Sequence, residues 1–249
     1  MKIIDAESYD SLISSIIDIM EIELTNIQDE LNKYPNDLSE KEFIEKVYQS
    51  KFYKGYNYDG IYLFHLTRCT DNMLLNIKEK GLLPPLEAIT YIKNDIINLF
   101  ELKRDALNFA NSKIIRNPVD NSIYAMQVNI SDKKVKKIDE ETNYHFLDKQ
   151  SGPEYVRDIL DKYKEKYGFA LDYFNYTKPY IIKIFIKDED LEKIKNYIDF
   201  YNRYNMPLKD YFLLSYLYIL YIFLKNMTIR FSGFICNKNV IEKIILVEE

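Results

Sequence analysis

Residue types that often build reactive sites are scarce in this chain of 249 residues, which has two cysteines and two histidines. Cys69 and Cys236 are far apart and belong to no CxxC or Cys/His cluster, which argues against a zinc site and against a disulfide framework. Neither a GxGxxG motif nor a P-loop motif follows any predicted strand. The sequence therefore encodes neither of those nucleotide-binding sites. The HExxH and GxSxG motifs are also missing.

The chain has no excess of basic residues, because its formal net charge is -5. This balance gives no long-range attraction for nucleic acid, although a local basic groove stays open as an alternative. Tryptophan is absent, whereas there are 23 tyrosines and 14 phenylalanines. We attribute this bias to an AT-rich, bacterial type of genome, and the alternative is a tyrosine-rich binding surface.

The sequence contains no apolar run of membrane-spanning length. The longest run, over residues 211–224, has 14 residues, whereas a bilayer span needs about 20. This run predicts either a buried core helix or a helix that faces a protein partner. No signal peptide is visible after Met1, and we therefore expect a cytoplasmic protein without membrane partners.

Apolar spacing predicts an α+β protein in which helices and strands alternate without a regular βαβ rhythm. Residues 1–54 form the predicted N-terminal helical segment, and residues 55–249 form the main domain. The predicted helices are 5–34, 39–51, 70–80, 103–114, 153–167, 190–205 and 209–225, and the predicted strands are 61–67, 96–100, 122–130, 180–186, 228–235 and 241–248.

His65 is the histidine of greatest interest because it lies inside an apolar strand. By strand alternation it shares a face with Leu63 and Thr67. A buried imidazole needs hydrogen-bond partners, so its residue context alone is compatible with a satisfied core histidine or with a ligand-binding one. His145 lies in a polar stretch, which predicts an exposed or locally bonded side chain.

The segment from Tyr62 to Pro84 resembles the opening motif of the ADP-ribosyltransferase superfamily: a strand with His-x-Thr, a turn, a helix, Gly-Leu and a proline. Further segments resemble later family elements in the same order, namely residues 98–113, 122–139 and 228–249. The resemblance implies a split β-sheet core with flanking helices and an NAD molecule in the cleft between two half-sheets.

The resemblance also implies positions for the NAD-binding residues. His65 would bond the nicotinamide ribose, with support from Thr67, since a neutral imidazole can donate to or accept from a sugar hydroxyl. The family has a tyrosine in its second segment that stacks on nicotinamide, where this chain has Asn98, and Tyr91 is the alternative. Arg68 is either a surface charge or a partner for the pyrophosphate.

The late family strand normally carries a catalytic glutamate that stabilises positive charge in the transition state. The resemblance places Thr228 and Arg230 at this catalytic position, and neither is a carboxylate. Glu101 is the nearest alternative carboxylate by position in the fold, although a solvated loop charge is the simpler explanation for it.

Three functional hypotheses follow from these observations. The first is an NAD-dependent ADP-ribosyltransferase that modifies a protein or nucleic acid in a toxin or phage-defence setting. The second is a catalytically inactive scaffold that acts as a binding, immunity or regulatory module, with the 211–224 helix as a partner surface. The third is an unrelated α+β domain.

Overall fold

A computed structural model of the chain describes residues 1–110, 123–127, 129, 154–191, 206–225, 233–235 and 240–247. These residues form a mixed α+β structure, which confirms the predicted class. The strands are β1 (Ile3–Ile4), β2 (Gly60–Cys69), β3 (Tyr124–Met126), β4 (Lys178–Lys187), β5 (Gly233–Ile235) and β6 (Val240–Leu246). The helices are α1 (Tyr9–Met20), α2 (Leu24–Asn32), α3 (Glu40–Tyr48), α4 (Asp71–Lys80), α5 (Pro85–Leu99), α6 (Glu154–Tyr167), α7 (Asp188–Leu191) and α8 (Leu208–Lys225).

The described strands belong to one open six-stranded sheet with β2 near its centre. The strand order is β5-β3-β2-β4-β6, and β1 is an additional strand beside β2. All pairs are antiparallel except β1–β2, which pairs Ile3 with Gly60 and Ile4 with Ile61 in parallel. The ten residues of β2 pair with β4 over its full length, so β2 is a rigid platform for the side chains that it carries.

The β2–α4 segment has the strand–turn–helix order that the sequence predicts. The Thr70 hydroxyl accepts a hydrogen bond from the Met73 backbone N–H, which caps the first turn of α4. Gly81 ends the helix with a φ of 80°, a conformation that favours glycine. Helix α5 then begins at Pro85, in the first-turn position that a proline tolerates.

Two predicted elements of this region are wrong. Residues 96–100 do not form a strand, because all but the last belong to α5. In a short apolar run, the hydrophobic periodicity does not distinguish a strand from the buried end of a helix. The predicted helix at 103–114 is also absent as far as its residues are described, because turns and a 3₁₀ turn at Asn108–Ala110 occupy residues 104–110.

Helix α8 is the centre of the larger hydrophobic core. Eleven of its eighteen residues are buried, which confirms the prediction of a core helix. The partner surface suggested for residues 211–224 stays a prediction, although most apolar side chains of this helix are covered within the chain. Among the described helices, none has the length and apolar character needed to cross a membrane.

The N-terminal helices α1, α2 and α3 pack on α8. Their buried side chains belong to the same hydrophobic core as those of α8 and the sheet. The predicted single helix at 5–34 is two helices, since Glu21 adopts a φ of 56° between α1 and α2. Helix α3 begins with a capping box, in which the side chains of Ser39 and Glu42 each accept a hydrogen bond from the backbone N–H of the other. Tyrosines of α8 then bind the loop before α3, with Tyr218 Oη donating to the Leu38 carbonyl at 3.3 Å and Tyr221 Oη donating to the Pro35 carbonyl.

Candidate functional site

His65 lies in the middle of β2 and is half-buried. It pairs across the ladder with Ile182, and Thr67 pairs with Tyr180. Because side chains alternate along a strand, His65 and Thr67 occupy the same face of the sheet. Thr67 is buried, with 9% exposure. On this face, the His65 imidazole is therefore partly accessible, whereas the Thr67 hydroxyl is covered.

Arg68 is not the surface charge that the sequence allowed. Its side chain is only 3% exposed and lies on the face of β2 opposite His65. The guanidinium donates to the Thr177 hydroxyl at 3.3 Å and to the Thr177 carbonyl at 3.1 Å. These bonds join the end of β2 to the residue before β4, so the described contacts of Arg68 are structural rather than directed at a ligand on the His65 face.

A buried polar network lies where β2 meets α4. The carboxylate of Asp95, on α5, accepts hydrogen bonds from Thr70 Oγ1 at 2.7 Å, Asn72 Nδ2 at 2.8 Å and Tyr173 Oη at 2.8 Å. Asp95 is 5% exposed, and a buried carboxylate needs partners of this kind. The network fixes α4 and α5 against the strand that carries His65.

The environment of this network keeps its other titratable groups neutral. Burial and the charge of Asp95 raise the pKa of the Tyr173 phenol, so Tyr173 remains a hydrogen-bond donor. Burial, together with the charges of Asp95 and Asp71, raises the pKa of the Cys69 thiol to about 12. Cys69 is therefore a packed thiol and not an activated nucleophile.

Sequence reasoning missed Asp95 because the end of α5 was interpreted as a strand. In a helix, Ala88, Ile92, Asp95 and Ile96 fall on one face, and all four are buried. Had this segment been interpreted as a helix, Asp95 would have been recognised as a single carboxylate on an apolar face.

Tyr91 and Asn98, the two alternatives for the nicotinamide contact, are both on α5. They are seven residues apart and share one helical stripe with Asp95, since i, i+4 and i+7 positions align. Tyr91 is half-buried, and Lys80 Nζ lies 4.0 Å from its ring centroid. Asn98 is exposed on the last turn of the helix and not on a strand.

Thr228 and Arg230 lie outside the described residues. Glu101 is exposed, follows the end of α5 and has a left-handed φ of 51°. Its position agrees with the interpretation as a solvated loop charge.

A second charged cluster occupies the sheet face opposite His65. Lys183 Nζ is 2.8 Å from Asp5 Oδ2 and 2.8 Å from Glu7 Oε2, and Lys243 Nζ also pairs with Glu7. The Lys183 ammonium lies 4.1 Å from the centroid of the Tyr62 ring. Burial alone would lower the pKa of Lys183, but the two carboxylates outweigh it and raise the pKa. This cluster joins the N-terminal strand region to β4 and β6.

Compared with known proteins, the chain matches no family model, no curated protein and no solved structure.

Proposed function

We propose that this protein binds NAD and is ADP-ribosyltransferase-like, transferring ADP-ribose to a macromolecular target. The observation that carries the proposal is the half-buried position of His65 on central strand β2, directly before a capped helix α4 that ends at Gly81. This is the element order that the family motif requires. The split sheet around an NAD cleft is part of the proposal.

The chemistry of the site is consistent with binding a sugar. A neutral imidazole has one donor and one acceptor nitrogen, and either kind of nitrogen can bond a ribose hydroxyl. A ten-residue ladder with β4 holds the backbone of His65, so the main chain at this position would lose little conformational freedom on binding. The Asp95 network adds rigidity, because it locks both helices that follow β2.

Nicotinamide would be contacted from α5 in this proposal. Tyr91 supplies an aromatic face, whereas Asn98 supplies an amide, and the two share one stripe of the helix. Tyr91 is the better candidate for stacking, because it is the aromatic residue of the two and its ring is half-buried. Asn98 is exposed at the helix end and would contribute at most a polar contact.

A second candidate function is an NAD-binding scaffold without catalysis. It is favoured by the residues at the expected carboxylate position, Thr228 and Arg230, since a guanidinium there would oppose the positive charge that develops on the ribose. In this case the protein would act as a binding, immunity or regulatory module. Retained NAD binding without any transfer of ADP-ribose distinguishes it from the enzyme.

Isothermal titration with NAD tests the proposal. The wild type and a His145→Ala variant should bind with equal affinity, whereas His65→Ala should weaken binding about tenfold or more, as expected for the loss of an oriented hydrogen bond to a ligand. His145→Ala is the matched control because the chain has only two histidines. Absence of NAD binding by the folded wild type would reject both candidate functions, and labelled NAD then separates transfer from binding alone.

A further inference from the structure

Four aromatic rings form a continuous patch at the C-terminal end of α6. The ring centroids of Tyr163 and Tyr167 are 4.6 Å apart, and Phe169 meets Tyr163 edge-on at 5.3 Å. Phe109 extends the row on the other side, with its centroid 6.3 Å from that of Tyr167. We call these four residues the aromatic patch.

The outer rings of the aromatic patch face solvent. Tyr167 is 42% exposed and Phe169 is 53% exposed, whereas Tyr163 beneath them is buried. Gly168 produces this arrangement, because its φ of 77° turns the chain at the end of α6 and returns Phe169 to Tyr163. Two large aromatic faces are thus held rigidly at the surface by one buried ring.

The charges of α6 are sorted around the aromatic patch. Lys164 and Lys166 are three residues from Tyr167 and Tyr163 respectively, so they flank the aromatic stripe on its two sides. Both lysines are exposed, and Lys166 Nζ lies 4.5 Å from the Phe109 ring centroid and 5.1 Å from that of Tyr167. Exposed Lys103 and Arg104, together with the exposed carboxylate Asp105, are in the loop next to Ala106, whose carbonyl accepts from Tyr167 Oη at 3.4 Å.

The carboxylates of the same helix lie away from the aromatic stripe. Glu165 is two residues from Tyr167, which is about 200° around an α-helix and thus near its opposite side. Asp161 belongs to the same far side, and Asp158 is paired with Lys162 at 2.5 Å. In an acidic chain, this arrangement leaves a local surface where cations border exposed aromatic rings.

We propose that the aromatic patch binds single-stranded nucleic acid, with bases stacked on Tyr167 and Phe169 and phosphates beside Lys164 and Lys166. Aromatic rings bordered by lysines are the general means of holding single strands without reading sequence, since every base has a flat face to stack. The charge pattern favours a polyanion over a protein partner. The inference goes beyond the NAD proposal and does not depend on it.

Fluorescence anisotropy with a labelled oligothymidylate at low salt tests the inference in the full-length protein without NAD. Phe169→Ala should weaken binding about tenfold, the loss expected for one stacked base. Phe169→Leu should weaken it almost as much, because leucine keeps the apolar contact with Tyr163 but has no aromatic face. Replacing Lys164 and Lys166 with glutamine should reduce the slope of log affinity against log salt by about 1.4, or about 0.7 for each phosphate contact.

Matched controls use exposed residues outside the aromatic patch. Tyr176→Ala removes an aromatic ring that is 54% exposed elsewhere, and Glu165→Gln changes the charge on the far side of α6. Both should leave the affinity within about twofold, and circular dichroism checks that each variant is folded. Failure of the wild type to bind at about 100 μM protein would overturn the inference. Full binding by Phe169→Leu would also overturn it, because the oligonucleotide would then not depend on an aromatic face at this position.

Discussion

The carboxylate of Asp95 and the hydroxyl of Thr70 are joined by a buried 2.7 Å hydrogen bond. Thr70 also caps α4, so one threonine oxygen connects the start of that helix to the middle of α5. Tyr173 completes the connection by donating to the same carboxylate from the 3₁₀ turn before β4. The end of β2, the strand that carries His65, is therefore anchored, because the start of α4 and the 3₁₀ turn before β4 both bind the Asp95 carboxylate of α5.

Removing the Asp95 carboxylate should destabilise the protein strongly. In Asp95→Ala, the buried hydroxyls of Thr70 and Tyr173 lose their acceptor, and we expect the free energy of unfolding to fall by about 2–4 kcal/mol. Urea denaturation followed by circular dichroism measures the change. Asn94→Ala, at an exposed position of the same helix, serves as the control and should change stability by less than about 0.5 kcal/mol. Equal stability of the two variants would contradict the proposed anchoring role.

The Glu7 ion pairs should make stability depend on acid pH. Burial alone would raise the pKa of Glu7, but hydrogen bonds and charge from Lys183 and Lys243 outweigh it and lower the pKa. A carboxyl with a lowered pKa contributes stability above its unfolded pKa and loses it as the pH falls through its folded value. Wild type should exceed Glu7→Gln in free energy of unfolding by about 1 kcal/mol at pH 7, and this difference should disappear as the pH falls from 7 through the lowered pKa of Glu7.

Urea denaturation of both proteins across this pH range measures that difference directly. Glu189→Gln is a suitable control, since its 3.9 Å pairing with Lys187 joins two largely exposed side chains. The control should give a difference near zero at every pH. A Glu7→Gln difference that stays constant with pH would show that the ion pairs do not supply the stability.

The Cys69 thiol should resist modification while the protein is folded. Its pKa of about 12 leaves a thiolate fraction of roughly 10⁻⁴ at pH 8, and only 5% of the residue is exposed. In a Cys236→Ser variant, reaction with a disulfide reagent should therefore wait for unfolding and become complete in urea. Rapid labelling in native buffer would contradict the buried, neutral state.

The hydroxyl of Tyr216 should contribute to stability from inside the core. Tyr216 is fully buried, and its Oη donates to the Tyr62 carbonyl on β2 at 3.0 Å. Tyr216→Phe should reduce the free energy of unfolding by about 1 kcal/mol, the usual net value of such a bond. Tyr176→Phe, at an exposed ring, should have no measurable effect in the same denaturation assay.

Local patterns in the sequence were sufficient to predict β2, α4, α6 and α8, because each has a strong apolar period or a recognisable cap. The cap at Thr70 and the stop at Gly81 are local signals, since they depend on residues within one turn. The end of α5 was mispredicted because Ile96 and Ile97 suit a strand and a buried helix end equally.

The polar contacts of the site were beyond the reach of the sequence. Arg68 is buried because Thr177, 109 positions later, accepts from it, and Asp95 is buried because Tyr173 lies 78 positions away. No local pattern encodes such pairings. His65 could be selected in advance because its strand and the following helix form a contiguous motif.

The most direct test of the central claim is NMR of the two histidine imidazoles during titration with NAD. Because the chain has only two histidines, a His145→Ala variant assigns both sets of ring signals. We predict that the His65 ring signals shift progressively and saturate as NAD binds, while those of His145 stay in place. Unchanged His65 signals at saturating NAD would contradict the account, as would equal shifts of both rings.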